Sequence, residues 1–308
     1  MSKILVTGGA GFIGSTLVDK LIIEGHEVVV LDNLVSGKKD YINSQAKLYE
    51  LDICSPEVAG VFETEQPEIV YHLAAQIDVR VSVTDPIFDN KINAVGSLNL
   101  LANCQKFGVR KFIFASTGGA IYGEAEEIPT TEQAPTYPLS PYGIHKLTTE
   151  KYLKFYQTVY GLDYTILRFA NVYGPRQYKG GEAGVVAIFI EHAVVGKTCV
   201  INGDGLQTRD YVYVDDVVSA LSKAKEVNYQ GEINISCGQE ISVLDVVAAI
   251  TAALGFELAS QHASTKPGEQ LRSCLSYDLA KKILNWEPQV NITEGVKRTI
   301  EWTKNLIS

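Results

Sequence analysis

The opening stretch "KILVTGGAGFIGSTLVDKLIIEGHEVVVLDN", residues 3–33, runs an apolar strand into a cluster of glycines, then a helical pattern, then a second strand. Neither strand alternates apolar with polar residues, and a continuous β-branched run suits a strand covered on both faces. Two such strands joined through a helix lie parallel, because an antiparallel pair needs only a tight hairpin. This one unit excludes an all-helical bundle and an all-β sandwich.

The alternation continues through "EIVYHLAA", "NAVGSLNLLANCQKFG", "KFIFAST", a helix opened by "SPYG", and "DYTILRFAN". Strands alternating with helices predict an α/β fold with a doubly wound parallel (Rossmann) sheet. After about Asn171 the texture changes to a Gly-rich loop, "VYGPRQYKGGEAGV", and shorter mixed elements. The expected organisation is a Rossmann domain over residues 1–170 and a smaller mixed α/β substrate domain over 171–308. Residues near 210–237 are candidates to rejoin the sheet. No repeat or low-complexity tract interrupts this order.

Composition narrows the functional classes. With 308 residues, 46% hydrophobic and 20% charged, the chain has an ordinary globular balance. A net charge of −9 disfavours non-specific nucleic-acid binding. No apolar run approaches a membrane span, and the early first strand leaves no room for a signal peptide. The five cysteines, Cys54, Cys104, Cys199, Cys237 and Cys274, are scattered and odd in number. They read as core thiols of a reducing, cytoplasmic compartment, with no metal site expected.

Gly8, Gly11 and Gly14 lie between the first strand and first helix. Glycines there allow a tight turn, close approach of a pyrophosphate, and close helix–strand packing. The spacing is G-x-x-G-x-x-G, and glycines alone also serve purely structural turns. Here the second strand ends on Asp32, whose carboxylate can accept from ribose hydroxyls and repels a 2′-phosphate. Dinucleotide binding follows, with NAD favoured over NADP.

In "SPYGIHK", Ser140 is a good N-cap and Pro141 suits the first helical position. Tyr142 and Lys146 then share one helix face. A tyrosine with a pKa of about 10 is a poor base at neutral pH. The ammonium and the helix N-terminus both act to lower that value. An exposed Tyr and Lys on a surface helix is the bland alternative for this spacing taken alone.

The ordered motifs "TGGAGFIG", "LDI" (51–53), "HLAAQ" (72–76), "STGGAIYGE" (116–124) and "SPYGIHK" resemble the extended short-chain dehydrogenase/reductase family over nearly the whole chain. Within it the chain is most similar to the NAD-dependent nucleotide-sugar 4-epimerases of the UDP-glucose/UDP-galactose type. "GEAGVVAIFI", "TRDYVYVDDV" and "LNWEP" add to that likeness. The resemblance implies a cofactor site of Gly8, Gly11, Phe12, Ile13, Gly14, Asp32, Asn33, Asp52, Ile53, Leu73, Ala74, Ala75 and Gln76, completed by Tyr142 and Lys146. It implies Tyr142 as the base, with Thr117 as the hydroxyl bridging it to the sugar O4, and Ser116 as a weaker candidate. Asn171 and Arg209 would meet the diphosphate, and Val200 and Ile201 the uracil. A structural pair of Arg209 with Asp210 or Asp215 is the alternative.

The same resemblance speaks to substrate. Related 4,6-dehydratases carry an acidic pair where this chain has Gly118 and Gly119, so dehydration is not expected. The segment "KPGEQLRS" departs from the family's R-P-G-D-x-R, with Lys266 for Arg, Glu269 for Asp and the last arginine displaced to Arg272. Ser273 falls where some relatives carry a large aromatic, which makes room for an N-acetyl group. The expected activity is interconversion of UDP-glucose and UDP-galactose, with UDP-GlcNAc and UDP-GalNAc as further substrates, by a homodimer. A UDP-glucuronate 4-epimerase, a net nucleotide-sugar oxidoreductase and an NAD-sensing binding protein are the rivals.

Overall fold

The computed structural model describes residues 1–177, 184–265 and 270–307. The first half of the chain runs β1 (Lys3–Thr7), α1 (Phe12–Ile23), β2 (Glu27–Asp32), β3 (Lys47–Glu50), α2 (Val58–Glu65), β4 (Ile69–His72), α3 (Val79–Thr84) and α4 (Pro86–Asn90). A π-helical turn, Lys91–Gly96, leads into α5 (Ser97–Phe107). Then come β5 (Lys111–Thr117), α6 (Gly118–Ile121), α7 (Pro141–Tyr160) and β6 (Asp163–Phe169).

These strands, with one more from the second half, make a seven-stranded sheet in the order β11-β6-β5-β4-β1-β2-β3, all pairs parallel. The seventh, β11 (Glu232–Ile235), pairs with β6. The chain starts at β1, winds outward to β3, then crosses back to β4 and winds the other way. That reversal opens a crevice beyond the carboxyl ends of β1 and β4, where ligands of open α/β sheets bind.

Period-two geometry explains the apolar runs. Ile4, Val6, Val30, Tyr71 and Ile113 face one core, shared with Leu17 and Leu21 of α1. Leu5, Val29, Leu31, Val70, Phe112 and Phe114 face the other, closed by Phe62, Leu100 and Leu153 from α2, α5 and α7. Burying each such side chain stabilises by about 1.5–3 kcal/mol, so a one-residue slip in register is heavily disfavoured. Where β1 and β4 part, a buried chain of hydrogen bonds bolts them. Thr7 Oγ1 lies 2.8 Å from His72 Nδ1, and His72 Nε2 lies 2.9 Å from Ser97 Oγ. Burial, then the Lys146 charge, holds His72 well below its ordinary pKa, so it is neutral at pH 7.

The second half adds β7 (Asn171–Tyr173), α8 (Val185–Val194), β8 (Cys199–Asn202), β9 (Thr208–Arg209), β10 (Tyr211–Tyr213) and α9 (Val214–Ala224). After β11 come β12 (Ile241–Ser242), α10 (Val243–Leu254), β13 (Ser260–Ala263), α11 (Asp278–Leu284) and α12 (Ile292–Ile307). Among the described residues its strands outside the main sheet form two-stranded pairs, β10–β7, β12–β9 and β13–β8. One apolar cluster continues from β1 and α1 through Val217 and Leu221 of α9 to Phe189, Ile250 and Trp286. All five cysteines are free thiols.

Candidate active site

The turn after β1 is bare backbone under compression. Gly8 has φ +72°, and a Cβ there would stand 2.6 Å from Ala74 N. At Gly14 a Cβ would stand 2.0 Å from Gly8 O, so α1 packs against the turn only because no side chain intervenes. Phe12 and Ile13 open α1, where amide hydrogens lack intrahelical partners and favour an anion. A pyrophosphate fits this cradle. Asp32 Oδ2 accepts from Ala10 N at 2.9 Å and Oδ1 from Leu34 N at 2.9 Å. Each oxygen keeps a further lone pair for a ribose hydroxyl. Asn33 Nδ2 reaches Asp52 Oδ2 at 3.4 Å, which joins two candidate adenosine contacts at neighbouring strand ends, with Ile53 buried beside them.

Leu73 to Gln76 follow β4 directly, and Leu73 and Ala74 form the wall against Gly8. The Gln76 side chain is committed inward. Its Nε2 donates to Asp78 O (2.9 Å) and Asp89 Oδ1 (2.7 Å), and its Oε1 accepts from Asp78 N. Its backbone stays at the carboxyl end of β4, beside the residues that wall Gly8.

Ser140 caps α7, its hydroxyl accepting from Gly143 N at 3.2 Å, with Pro141 at the first helical position. Tyr142 and Lys146 therefore start the helix facing the sheet. Lys146 is buried, donates to Ala115 O at 2.9 Å, and stands 4.8 Å from the Phe114 ring centroid and 5.9 Å from that of Tyr142. Burial pulls its ammonium down to about 8, against the raising effect of Asp89 and Glu150. Burial and the Asp89 carboxylate both push the Tyr142 phenol up. In the chain by itself desolvation dominates the phenol, and lowering it falls to the lysine together with the cationic cofactor that the resemblance implies. Among the described residues the Tyr142 and Thr117 hydroxyls have no side-chain or backbone hydrogen-bond partner, and neither is sealed from solvent.

Adjacent residues of β5 part company. Ser116 points to the α7 face, where its buried hydroxyl donates to Glu150 Oε1 at 2.7 Å. Arg168 on β6 completes the pair with Nε to Oε1 at 3.0 Å and NH2 to Oε2 at 2.6 Å. Ser116 is therefore a core strut, and strand alternation removes it as a catalytic hydroxyl. Thr117 lies at the open end of the strand, with its Oγ1 and Asn171 Oδ1 flanking Gly119. At Gly118 a Cβ would stand 2.2 Å from the buried Leu275 side chain, so an acidic side chain has no room there.

Arg209 donates from NH1 to Thr208 O at 2.8 Å and, among the described residues, pairs with neither Asp210 nor Asp215. Asp210 instead accepts from Cys237 N, Gly238 N and Leu275 N, and burial pushes it up to about 6. The pairing alternative for Arg209 is set aside by this geometry. In β8, Ile201 is buried and Val200 exposed, so their side chains leave opposite faces of the strand. Ser273 is buried, beside Leu271, whose carbonyl accepts from Thr208 N. Arg272 is held by Glu240 through Nε at 2.9 Å and NH2 at 2.5 Å. Glu269 and Lys266 lie outside the described residues.

Sequence reasoning missed three participants. Glu150 was legible as the i+4 neighbour of Lys146 on one helix face. Asp89 and His145 were not, because their 2.5 Å contact joins α4 to α7 across 56 residues.

Residues 4–236 match the model of the NAD dependent epimerase/dehydratase family. The chain is 43% identical over 309 residues to a UDP-glucose 4-epimerase of Mycolicibacterium smegmatis, covering 98% of this chain and 99% of that one. It superposes with TM-score 0.97 and 48% identity on a UDP-glucose 4-epimerase of Thermotoga maritima solved with UDP-glucose, covering 99% of this chain and 100% of that one. A UDP-N-acetylglucosamine 4-epimerase of Methanobrevibacter ruminantium gives TM-score 0.94 at 32% identity, with 99% of each chain covered.

Proposed function

The chain belongs to the NAD-dependent epimerase/dehydratase family, and from that premise we propose that it interconverts UDP-glucose and UDP-galactose through a transient 4-keto sugar. One observation carries the reading. Tyr142 and Lys146 open α7 beside the carboxyl end of β5, where Thr117 presents a free hydroxyl at the rim of the β1/β4 crevice. Bound NAD supplies the hydride acceptor and donor, and a positive charge beside the phenol. Residues of the glycine turn hold its pyrophosphate, and Asp32, Asn33, Asp52 and Ile53 border its adenosine.

Tyr142 takes the proton of the sugar 4-hydroxyl and returns it after the ketone has turned its other face. Thr117 bridges that oxygen and the phenol. Lys146, fixed through Ala115 O, orients the nicotinamide ribose and contributes positive charge. Arg209, without a carboxylate partner among the described residues, and Asn171 hold the diphosphate while the sugar rotates. Val200 and Ile201 of β8 meet the uracil. The buried, small Ser273 leaves room for an N-acetyl group, a reading in keeping with the UDP-N-acetylglucosamine 4-epimerase neighbour. We divide the chain, for function, into a cofactor part over 1–170, joined by β11, and a nucleotide-sugar part from 171 on.

A homodimer belongs to the same proposal. Tyr152, Phe155, Val159 and Tyr160 are exposed along α7, and Ile87 and Phe88 are exposed on α4. In α5, Leu100, Leu101 and Cys104 are buried in the chain's own core, while Leu98 and Ala102, with Val95 just before them, keep exposed surface. No described helix is long and apolar enough to cross a membrane. Cytoplasmic residence is proposed with the function, where five free thiols remain reduced.

The test is incubation with UDP-glucose, UDP-galactose, UDP-GlcNAc and UDP-glucuronate, with separation of 4-epimers and a watch for free reduced cofactor. Epimers without cofactor release support the proposal. Stoichiometric reduced cofactor would indicate a net oxidoreductase instead. Tyr142→Phe should abolish turnover while NAD binding persists.

A further inference from the structure

Asp89 ends α4 with its carboxylate fully buried, and every oxygen of it is spoken for. Oδ1 accepts from Gln76 Nε2 at 2.7 Å and from Asn93 Nδ2 at 3.0 Å. Oδ2 meets His145 Nδ1 at 2.5 Å. These partners come from three places: the segment after β4, the π-helical turn and α7. Asn93 extends the web, since its Oδ1 accepts from Gln76 N at 3.0 Å and its carbonyl accepts from Thr149 Oγ1 at 3.0 Å. Tyr142, His145, Lys146 and Thr149 fall at i, i+3, i+4 and i+7, one face of α7. A π-helical turn is a costly local geometry that recurs at functional sites, and here it is what delivers Asn93 to the carboxylate.

We propose that Asp89 and His145 are positioning residues of the reaction: the pair locks the Tyr142–Lys146 face of α7 onto the segment after β4 and sets the charge that the Tyr142 phenol meets as its proton leaves and returns. The inference rests on Tyr142 being the base. Among the described residues, burial and then the Asp89 carboxylate push the Tyr142 phenol up, and Asp89 acts to raise Lys146 as well. Other charged groups on elements packed against α7 are Asp78 and Arg80 near α3, Lys91 of the π-helical turn, Lys106 of α5, Lys111 of β5, and Asp163 and Arg168 of β6, with Glu150, Lys151 and Lys154 on α7 itself. Asp78 and Arg80 lie together at 3.7 Å, and Arg168 is held by Glu150. α6 contributes no titratable side chain.

The test uses the NAD-loaded enzyme. The tyrosinate difference absorbance of each protein, minus that of its Tyr142→Phe counterpart, gives the titration of Tyr142, and kcat is followed over the same pH range. Asp89→Asn keeps acceptors for Gln76 and Asn93 while removing the charge. It should move the Tyr142 titration, and with it the acid limb of kcat, to lower pH by about one unit or more. His145→Gln keeps a hydrogen bond to Asp89 without its positive form and should move both to higher pH. A uniform fall in kcat with the titration unmoved in both variants would overturn the proposal and leave the pair a structural clamp. Turnover retained in Tyr142→Phe would instead overturn the assignment of the base.

Discussion

Ser116 Oγ donates to Glu150 Oε1 at 2.7 Å, while the hydroxyl of the next residue, Thr117, has no such partner among the described residues. Two neighbouring hydroxyls of one strand thus serve different ends, because successive side chains leave opposite faces. Thr117→Val should lower kcat by about 10²–10³-fold, the cost of one hydrogen bond to a reacting oxygen, with stability nearly unchanged. Ser116→Ala should leave kcat within a few-fold but lower unfolding free energy by about 1.5–3 kcal/mol, the usual worth of a bond to a charged group. Steady-state kinetics and denaturant unfolding of the two variants decide it.

The Glu150–Arg168 pair is buried and bidentate, with Arg168 NH1 also donating to Tyr122 Oη at 2.9 Å. Glu150→Ala leaves the buried guanidinium with Tyr122 and only a 3.7 Å contact to Glu232, and should destabilise by about 3–5 kcal/mol. The double variant Glu150→Leu with Arg168→Met should recover part of that loss, because no unpaired charge remains. Urea unfolding with a measured m-value tests both.

Glu65 supplies a pH signature away from the active site. Burial alone would raise its carboxyl, but hydrogen bonds from Lys47 at 2.6 Å, Tyr49 at 2.5 Å and Lys3 at 3.2 Å bring it down to about 2. The folded value lies below the unfolded one of 4.5, so its contribution is present above pH 4.5 and is lost as pH falls through 2. Glu65→Gln should therefore be less stable than the parent at pH 7, and the difference should shrink steadily between pH 4.5 and 2 in unfolding titrations.

The apolar stripe Tyr152–Phe155–Val159 on α7 is a direct handle on assembly. In sedimentation velocity the parent chain should sediment as the proposed dimer and Phe155→Glu as a monomer, since a buried unpaired charge opposes association. An unaltered dimer would place the interface elsewhere.

Much of the cofactor half was legible in advance. The glycine turn, the Asp32 strand end and the Ser140–Pro141 helix start are local features, each fixed by residues within a few positions of one another. The duty of Ser116 was not legible, because a motif names a residue without saying which way it points. Orientation depends on strand parity and on what packs opposite.

The order of apolar runs and glycines settled the parallel sheet and its double winding, because backbone sterics and burial act through near neighbours. The fold alone decided which hydroxyl is free, which carboxylate stands behind the phenol, and that Arg209 has no acidic partner among the described residues. Those outcomes arise from groups such as Asp89 and His145, or Ser116 and Glu150, that are remote in the chain and share a dry interior. There each charge or hydrogen bond counts for more than in water, and only the tertiary arrangement says which partners meet.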